Sequence, residues 1–371
     1  DVVLYLIDFG QEVLQAVPGR GGLAEPVILE EDVATTMAGR VFLTGKPVSA
    51  ERAGAVRVWV PVVEQADRTG VLALTVPSLT PALMEDATNL GMFAGLLIAS
   101  AARYTDLLHV RRRARSMSLA ANIQWDLLPP LTLQCPSAAV SGLLQPAYEV
   151  AGDGFDHALN GDRLDLAVFD GMGHGISSST LTGLAIGSYR HARREGADVR
   201  GMHAVVDETL TEQFGGESFV TGIIARLDLP TGQLSWSNAG HPLPLLLRAR
   251  RVVGELECEP SMPFGLGGGC GSIATTHLEP GDQVLFFTDG VVEARTAAGE
   301  EFGVARLVDL LERQAASGFT PEEVLRRLVH SVLEHQGGAL RDDATLVLMS
   351  WAGVPVEAAP VPAPREPGVL I

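Results

Sequence analysis

Four acidic positions share one design. Val150-Ala151-Gly152-Asp153-Gly154 sets Asp153 in a glycine-flanked turn, and Leu164 to Phe169 runs into Asp170-Gly171-Met172-Gly173-His174-Gly175. Val284 to Phe287 runs into Thr288-Asp289-Gly290, and Arg341-Asp342-Asp343-Ala344-Thr345 precedes the apolar run Leu346 to Met349. A single Asp-Gly is ordinary hairpin chemistry. Four acids at the edges of strands that should lie in a core are different, because carboxylates gathered there need cations to offset repulsion and desolvation. Hard oxygen donors without a histidine or cysteine set suit Mg²⁺ or Mn²⁺. Glycine beside an aspartate lets a carbonyl or a water approach such an ion closely.

Together with Gly152-Asp153-x-x-Asp156, Asn238-Ala239-Gly240-His241-Pro242, Phe287-Thr288-Asp289-Gly290-Val291-x-Glu293-Ala294 and Asp342-Asp343-Ala344-Thr345, these stretches form five motifs in order. In this the chain resembles the PPM-type metal-dependent phosphatases, specifically the bacterial SpoIIE-like branch, over about residues 116–350. The resemblance implies an α+β fold: a four-layer αββα sandwich of two antiparallel sheets flanked by helices. It implies two Mn²⁺ or Mg²⁺ ions, with Asp170 bridging them, Asp153 and the Gly171 carbonyl holding the second, and Asp289 and Asp342 holding the first. Asp342 and Asp343 remain alternatives as ligand. It further implies hydrolysis of phosphoserine or phosphothreonine on a protein, usually a small anti-anti-sigma protein, by an activated water. His174 reads either as a general acid for the leaving oxygen or as a residue structuring the glycine loop. His241 reads as loop packing, and Gly265 to Gly271 as a flexible flap beside the site. Relatives usually carry a bulky aromatic directly after the first aspartate, where this chain has Gly154 and then Phe155. Two other readings exist. A catalytically inactive module of the same fold would keep the surface without needing the acids. A nucleotidyl cyclase would need a nucleotide pocket, to which these motifs do not point.

The elements that must position these residues follow from pattern. Hairpins mixed with helices argue an α+β sandwich and against alternating βαβ units; Asp228-Leu-Pro-Thr-Gly232 reads as the turn of one hairpin. Residues 129–351 are expected to form the phosphatase domain. Residues 1–80 read as a smaller α/β sensor module resembling the end of a GAF domain, with Val56 to Val63 and Val71 to Val76 as a hairpin. Thr80-Pro81 opens a helix. Leu83, Ala87, Leu90, Ala94, Leu97, Ala101, Tyr104 and Leu108 follow in heptad steps, so residues 81–128 read either as a helix packed on its own domain or, the reading preferred here, as a signalling helix that pairs two copies of the chain. If continuous, roughly 48 residues would span about 70 Å.

The chain has 371 residues, 46% hydrophobic and 19% charged, which is core-forming and too long for one ordinary domain. A net charge of −18, with one short basic stretch at Arg111-Arg112-Arg113, excludes a duplex-binding footprint. Cys135, Cys258 and Cys270 lack metal spacing and read as reduced thiols of a cytoplasmic protein. The longest apolar run, Leu90 to Ala102, is too short to span a bilayer. Residues 352–371 read as a proline- and alanine-rich disordered tail. The start at Asp1, inside an apparent strand, predicts further sequence upstream.

Overall fold

A computed structural model describes residues 1–353 except 18–28, 53, 65, 146, 147, 149–151, 339 and 341. Parts of two expected turns, at Val150-Ala151 and Arg341, and nearly all of the expected tail lie outside the described residues.

The first unit comprises β1 (Val2–Ile7), β2 (Val13–Val17), β3 (Glu30–Asp32), α1 (Met37–Thr44), β4 (Val48–Arg52), β5 (Ala55–Glu64) and β6 (Asp67–Val76). The strands form one antiparallel sheet in the order β3-β2-β1-β6-β5-β4. One face, with Tyr5, Trp59 and Val71, packs on Val41 and Phe42 of α1. The other face, with Val58, Val60, Val62 and Leu72, is covered by a long helix, α2 (Pro81–Ala101). Thr80 caps that helix, accepting from the Leu83 amide at 3.2 Å.

Between the units the expectation of one continuous helix is corrected. After α2 the chain breaks and forms α3 (Leu107–Arg111) and α4 (Leu119–Leu127). A helix of 21 residues spans only about 30 Å. The single heptad stripe is also corrected. Ala87, Gly91 and Gly95 face the sheet, while Leu90, Phe93 and Leu97 are exposed at 43%, 57% and 54%. The glycines decide this. A Cβ at Gly91 would lie 2.4 Å from the Pro61 carbonyl oxygen, and one at Gly95 would lie 2.0 Å from that of Val63. Their backbones sit directly on β5, so this side of the helix is used by its own sheet.

The second unit begins with β7 (Thr132–Gln134), β8 (Ala138–Gln145), β9 (Asp153–Asn160), β10 (Arg163–Gly171), α5 (Ile176–Arg194) and α6 (Val199–Phe214). It continues through β11 (Val220–Asp228), β12 (Gln233–Ala239), β13 (Leu245–Arg248), β14 (Arg251–Glu255), β15 (Ala274–His277) and β16 (Gln283–Phe287). The short α7 (Asp289–Val292), α8 (Val304–Ala316), α9 (Pro321–His335) and β17 (Ala344–Trp351) complete it. Two antiparallel sheets, ordered β15-β12-β11-β10-β9 and β14-β13-β16-β17-β8-β7, enclose Phe155, Leu166, Val168, Ile223, Phe286 and Val347. Helices α5 and α6 cover the outer face of the first sheet, and α8 and α9 that of the second. Strands sandwiched this way are apolar on both faces, which is why β10 and β16 read as almost unbroken hydrophobic runs. Among the described residues no helix is long and apolar enough to cross a membrane.

Candidate active site

β9 and β10 pair so that Asp153 lies directly opposite Asp170. Side chains opposite each other in an antiparallel pair point to the same face with Cβ atoms about 5 Å apart, so two motifs 17 positions apart become neighbours. Asp289 opens α7 at the end of β16, and β16 pairs with β17, which starts just after Asp342 and Asp343. The β10 end continues into Met172-Gly173-His174-Gly175 before α5. A cleft of about 420 Å³ results, lined by Asp170, Gly171, Met172, Gly173, His174, Gly175, Phe219, Thr221, Asp289 and Asp342.

The two neighbouring aspartates of the last motif separate cleanly. Asp342 is exposed and lines the cleft. Asp343 is buried, and its Oδ2 accepts from the amides of Gly152 (2.5 Å) and Asp153 (3.2 Å). Burial, only partly countered by those two amides, pushes its carboxyl up to about 6. Asp343 thus ties the start of β9 to the start of β17. Asp153 is 2% exposed and lies behind the cleft wall, with its Oδ2 accepting from the Thr288 hydroxyl at 2.6 Å. The Gln124 amide of α4 donates to its carbonyl at 2.6 Å. The Gly171 carbonyl accepts from Ser178 Oγ at 2.7 Å.

Electrostatically the cluster is under strain. Burial first, then the charges of Asp289, Asp342 and Asp343, push Asp170 up to about 8, and its side chain lies within hydrogen-bonding reach of Asp289. Burial and the neighbouring Asp170 and Asp343 hold Asp153 well above the carboxylate range. Among the described residues no three acids converge tightly enough to form a ready-made cation site. Hydroxyl and amide donors meet the crowded acids, Thr288 at Asp153 and the Gly152 and Asp153 amides at Asp343. The donor set itself fits hard divalent cations: carboxylate and carbonyl oxygens at one cleft, with carboxylates whose raised pKa values a cation would reverse.

Other residues frame the site. Asp156 of the first motif receives Arg190 Nη2 at 2.7 Å and Arg193 Nη1 at 2.6 Å, and Arg190 also donates to the Leu127 carbonyl. This pins α5 to β9 and to the end of α4. Gly154 stands where a side chain would collide with α5: a Cβ there would lie 2.8 Å from Thr182 Cγ2 and 2.9 Å from Ile186 Cδ1. The expected flap at Gly265 to Gly271 is corrected. The amides of Gly265, Gly267 and Gly269 donate to Asp207 of α6, and none of these glycines lines the cleft. Buried His241 sits behind the cleft against Thr221. Thr221, Thr288 and Gln124 carried no motif signal of their own, although Thr288 adjoins Asp289 in Thr-Asp-Gly.

Gly290 offers a direct check on this frame. A Cβ there would lie 1.9 Å from the Asp343 carbonyl oxygen, backbone against backbone. Gly290→Ala should therefore push α7 away from β17, at a cost of about 1–3 kcal/mol. The expected result is a melting temperature several degrees lower, read by calorimetry. An unchanged melting point would refute the close approach.

A profile described as Stage II sporulation protein E (SpoIIE) matches residues 160–352. Phosphoserine phosphatase RsbU of Bacillus subtilis (strain 168) is 23% identical over 280 residues, covering 73% of this chain and 82% of RsbU. The solved RsbU and RsbW domains of a Mycobacterium tuberculosis protein are 27% identical at a TM-score of 0.51, covering 61% of this chain and 63% of that one. The SiaA-PP2C domain of Pseudomonas aeruginosa is similar in fold at a TM-score of 0.53 and 22% identity, covering 62% of this chain and 93% of that one.

Proposed function

Because this chain belongs to the SpoIIE family of PPM-type phosphatases, we propose that it hydrolyses phosphoserine or phosphothreonine on a partner protein, through a water activated at the Asp170 cleft. The observation that carries this reading is the meeting of Asp170, Asp289 and Asp342, from three separate motifs, on one cleft wall. Asp170, Asp289, Asp342, Asp153 and the Gly171 carbonyl would hold two Mn²⁺ or Mg²⁺ ions, which when bound supply an acidified water and offset charge on the phosphoryl oxygens. Asp343 holds Gly152 and Asp153 in position through its two amide contacts. His174, exposed on the rim, is within the cleft lining and would give a proton to the leaving serine oxygen. Met172 and Phe219 supply its apolar walls.

An anti-anti-sigma-type phosphoprotein is the substrate we favour. The named activity of RsbU, a phosphoserine phosphatase, supports a phosphoprotein substrate. The anti-anti-sigma class rests on the motif resemblance. The three free cysteines are in keeping with work in the cytoplasm. The test is Mn²⁺-dependent release of phosphate from phosphorylated candidate proteins and from p-nitrophenyl phosphate. No release from either substrate at saturating Mn²⁺ would favour an inactive binding module.

We further propose that the GAF-like first unit regulates the second. Its Asp8 accepts from the Tyr148 hydroxyl at 2.7 Å, five positions before Asp153, and Arg68 pairs with Glu322 at 2.7 Å. Gln145 donates to the Gly10 carbonyl at 2.9 Å. Burial and Asp8 push Tyr148 up to about 12, so it remains a donor. The exposed face of α2 at Leu90, Phe93 and Leu97 would pair two copies. Burying each large side chain is worth about 1.5–3 kcal/mol. Leu90→Glu with Leu97→Glu should convert a dimer to a monomer in sedimentation. A wild-type chain already monomeric at micromolar concentration would end this idea.

A further inference from the structure

We propose that Thr221, aimed by His241, is a positioning residue that orients the attacking water; this rests on the phosphatase reading above. β11 pairs with β10 so that Thr221 lies directly opposite Asp170, on the same face of the sheet, and it lines the same cleft. Its Oγ1 lies 3.0 Å from His241 Nδ1. His241 is 5% exposed and fixed by a reciprocal pair: its amide donates to Asn238 Oδ1 at 2.7 Å, and Asn238 Nδ2 donates to its carbonyl at 2.8 Å.

The direction of the Thr221 hydrogen bond decides what the hydroxyl can do. Burial lowers His241 to about 3, so the ring is neutral, with one nitrogen donating and one accepting. Thr221 engages Nδ1, so the ring's contact with the Phe287 backbone carbonyl, which can only accept, falls to Nε2, although no hydrogen bond is fully formed there. That assigns the proton to Nε2 and leaves Nδ1 as an acceptor. Thr221 then gives its single hydroxyl proton to Nδ1, and its oxygen presents only lone pairs to the cleft. Such an oxygen accepts from a water and offers nothing to an unprotonated phosphoryl oxygen. The Asn238-Ala-Gly-His241 motif thereby acts through Thr221: it selects and orients the water without touching the phosphate group.

The test is isosteric. Thr221→Val keeps the shape and removes the hydroxyl, while Thr221→Ser restores it. In Mn²⁺-loaded enzyme, Thr221→Val should lose on the order of 10²-fold in kcat with little change in KM, the size of effect that misplacing a reacting group produces. Thr221→Ser should recover most of that loss. In metal-free protein with ¹⁵N-labelled histidine, the His241 Nδ1 resonance should read as unprotonated and hydrogen-bonded, and should move in Thr221→Val. A wild-type kcat in Thr221→Val, or a protonated Nδ1, overturns the inference while the phosphatase reading stands. A wild type that releases no phosphate overturns both.

Discussion

Asp170→Asn is expected to lose more than about 10²-fold in turnover, equivalent to more than about 2.7 kcal/mol of barrier. Asp170 is the acid of the cleft with the most acidic neighbours. It sits opposite Asp153 across β9 and β10 and feels the charges of Asp289, Asp342 and Asp343. Replacing its carboxylate with an amide keeps the size and removes the anionic oxygen that two cations would share. Phosphate release from p-nitrophenyl phosphate at saturating Mn²⁺ measures the effect, and EDTA should abolish the wild-type rate. Near-wild-type turnover in Asp170→Asn, or full activity in EDTA, would falsify the proposed cation-dependent chemistry.

The same substitution should stabilise the fold when no cation is bound. The unfolded chain releases the Asp170 proton near pH 4, whereas the folded chain holds it up to about pH 8, because burial and three neighbouring acids disfavour the charge. Between those values the folded state binds more protons, so its stability falls as pH rises, by at most about 1.4 kcal/mol per pH unit for one group. The advantage is complete below pH 4 and gone above pH 8. Asparagine mimics the neutral acid and has no such slope. In EDTA, Asp170→Asn should therefore melt several degrees above wild type at pH 8, and the gap should shrink towards pH 5. Mn²⁺ should reverse the order. An ion at 100 times its Kd adds about 2.7 kcal/mol, or about 5–10 °C in a domain of this size, and wild type should gain far more than the mutant. Parallel melting curves for the two proteins across pH 5–8 would remove the electrostatic basis of the site.

The features legible in sequence were local ones. Val284 to Phe287 had to be a buried strand because every residue is apolar, and Thr288-Asp289-Gly290 had to end it. The Asp228 to Gly232 turn announced its hairpin through residues that favour tight turns, and the Asp228 carboxylate indeed accepts from the Thr231 amide. The α2 N-terminus was marked by Thr80-Pro81. The extent of that helix was misread, since heptad spacing reports which residues are apolar but not which side has a partner. Gly91 and Gly95 are the contact points at which the helix backbone lies on β5. A glycine leaves the same mark in a sequence whether it bends a helix or lets another backbone approach.

Sequence by itself determined the chemistry available to this protein: hard oxygen donors at the ends of apolar strands, in an order that resembles one phosphatase family. It could do so because strand burial and turn formation depend on residues near one another in the chain. Only the tertiary structure decided what each acid does. Asp342 and Asp343 are adjacent and identical, yet one faces the cleft and the other binds the Gly152 and Asp153 amides nearly two hundred positions away. Successive side chains at a strand edge point to opposite sides, and which side holds amides or open cleft depends on strand pairing between distant segments. The pairing of β10 with β11 likewise brings Thr221 to Asp170 without leaving any local trace in the sequence.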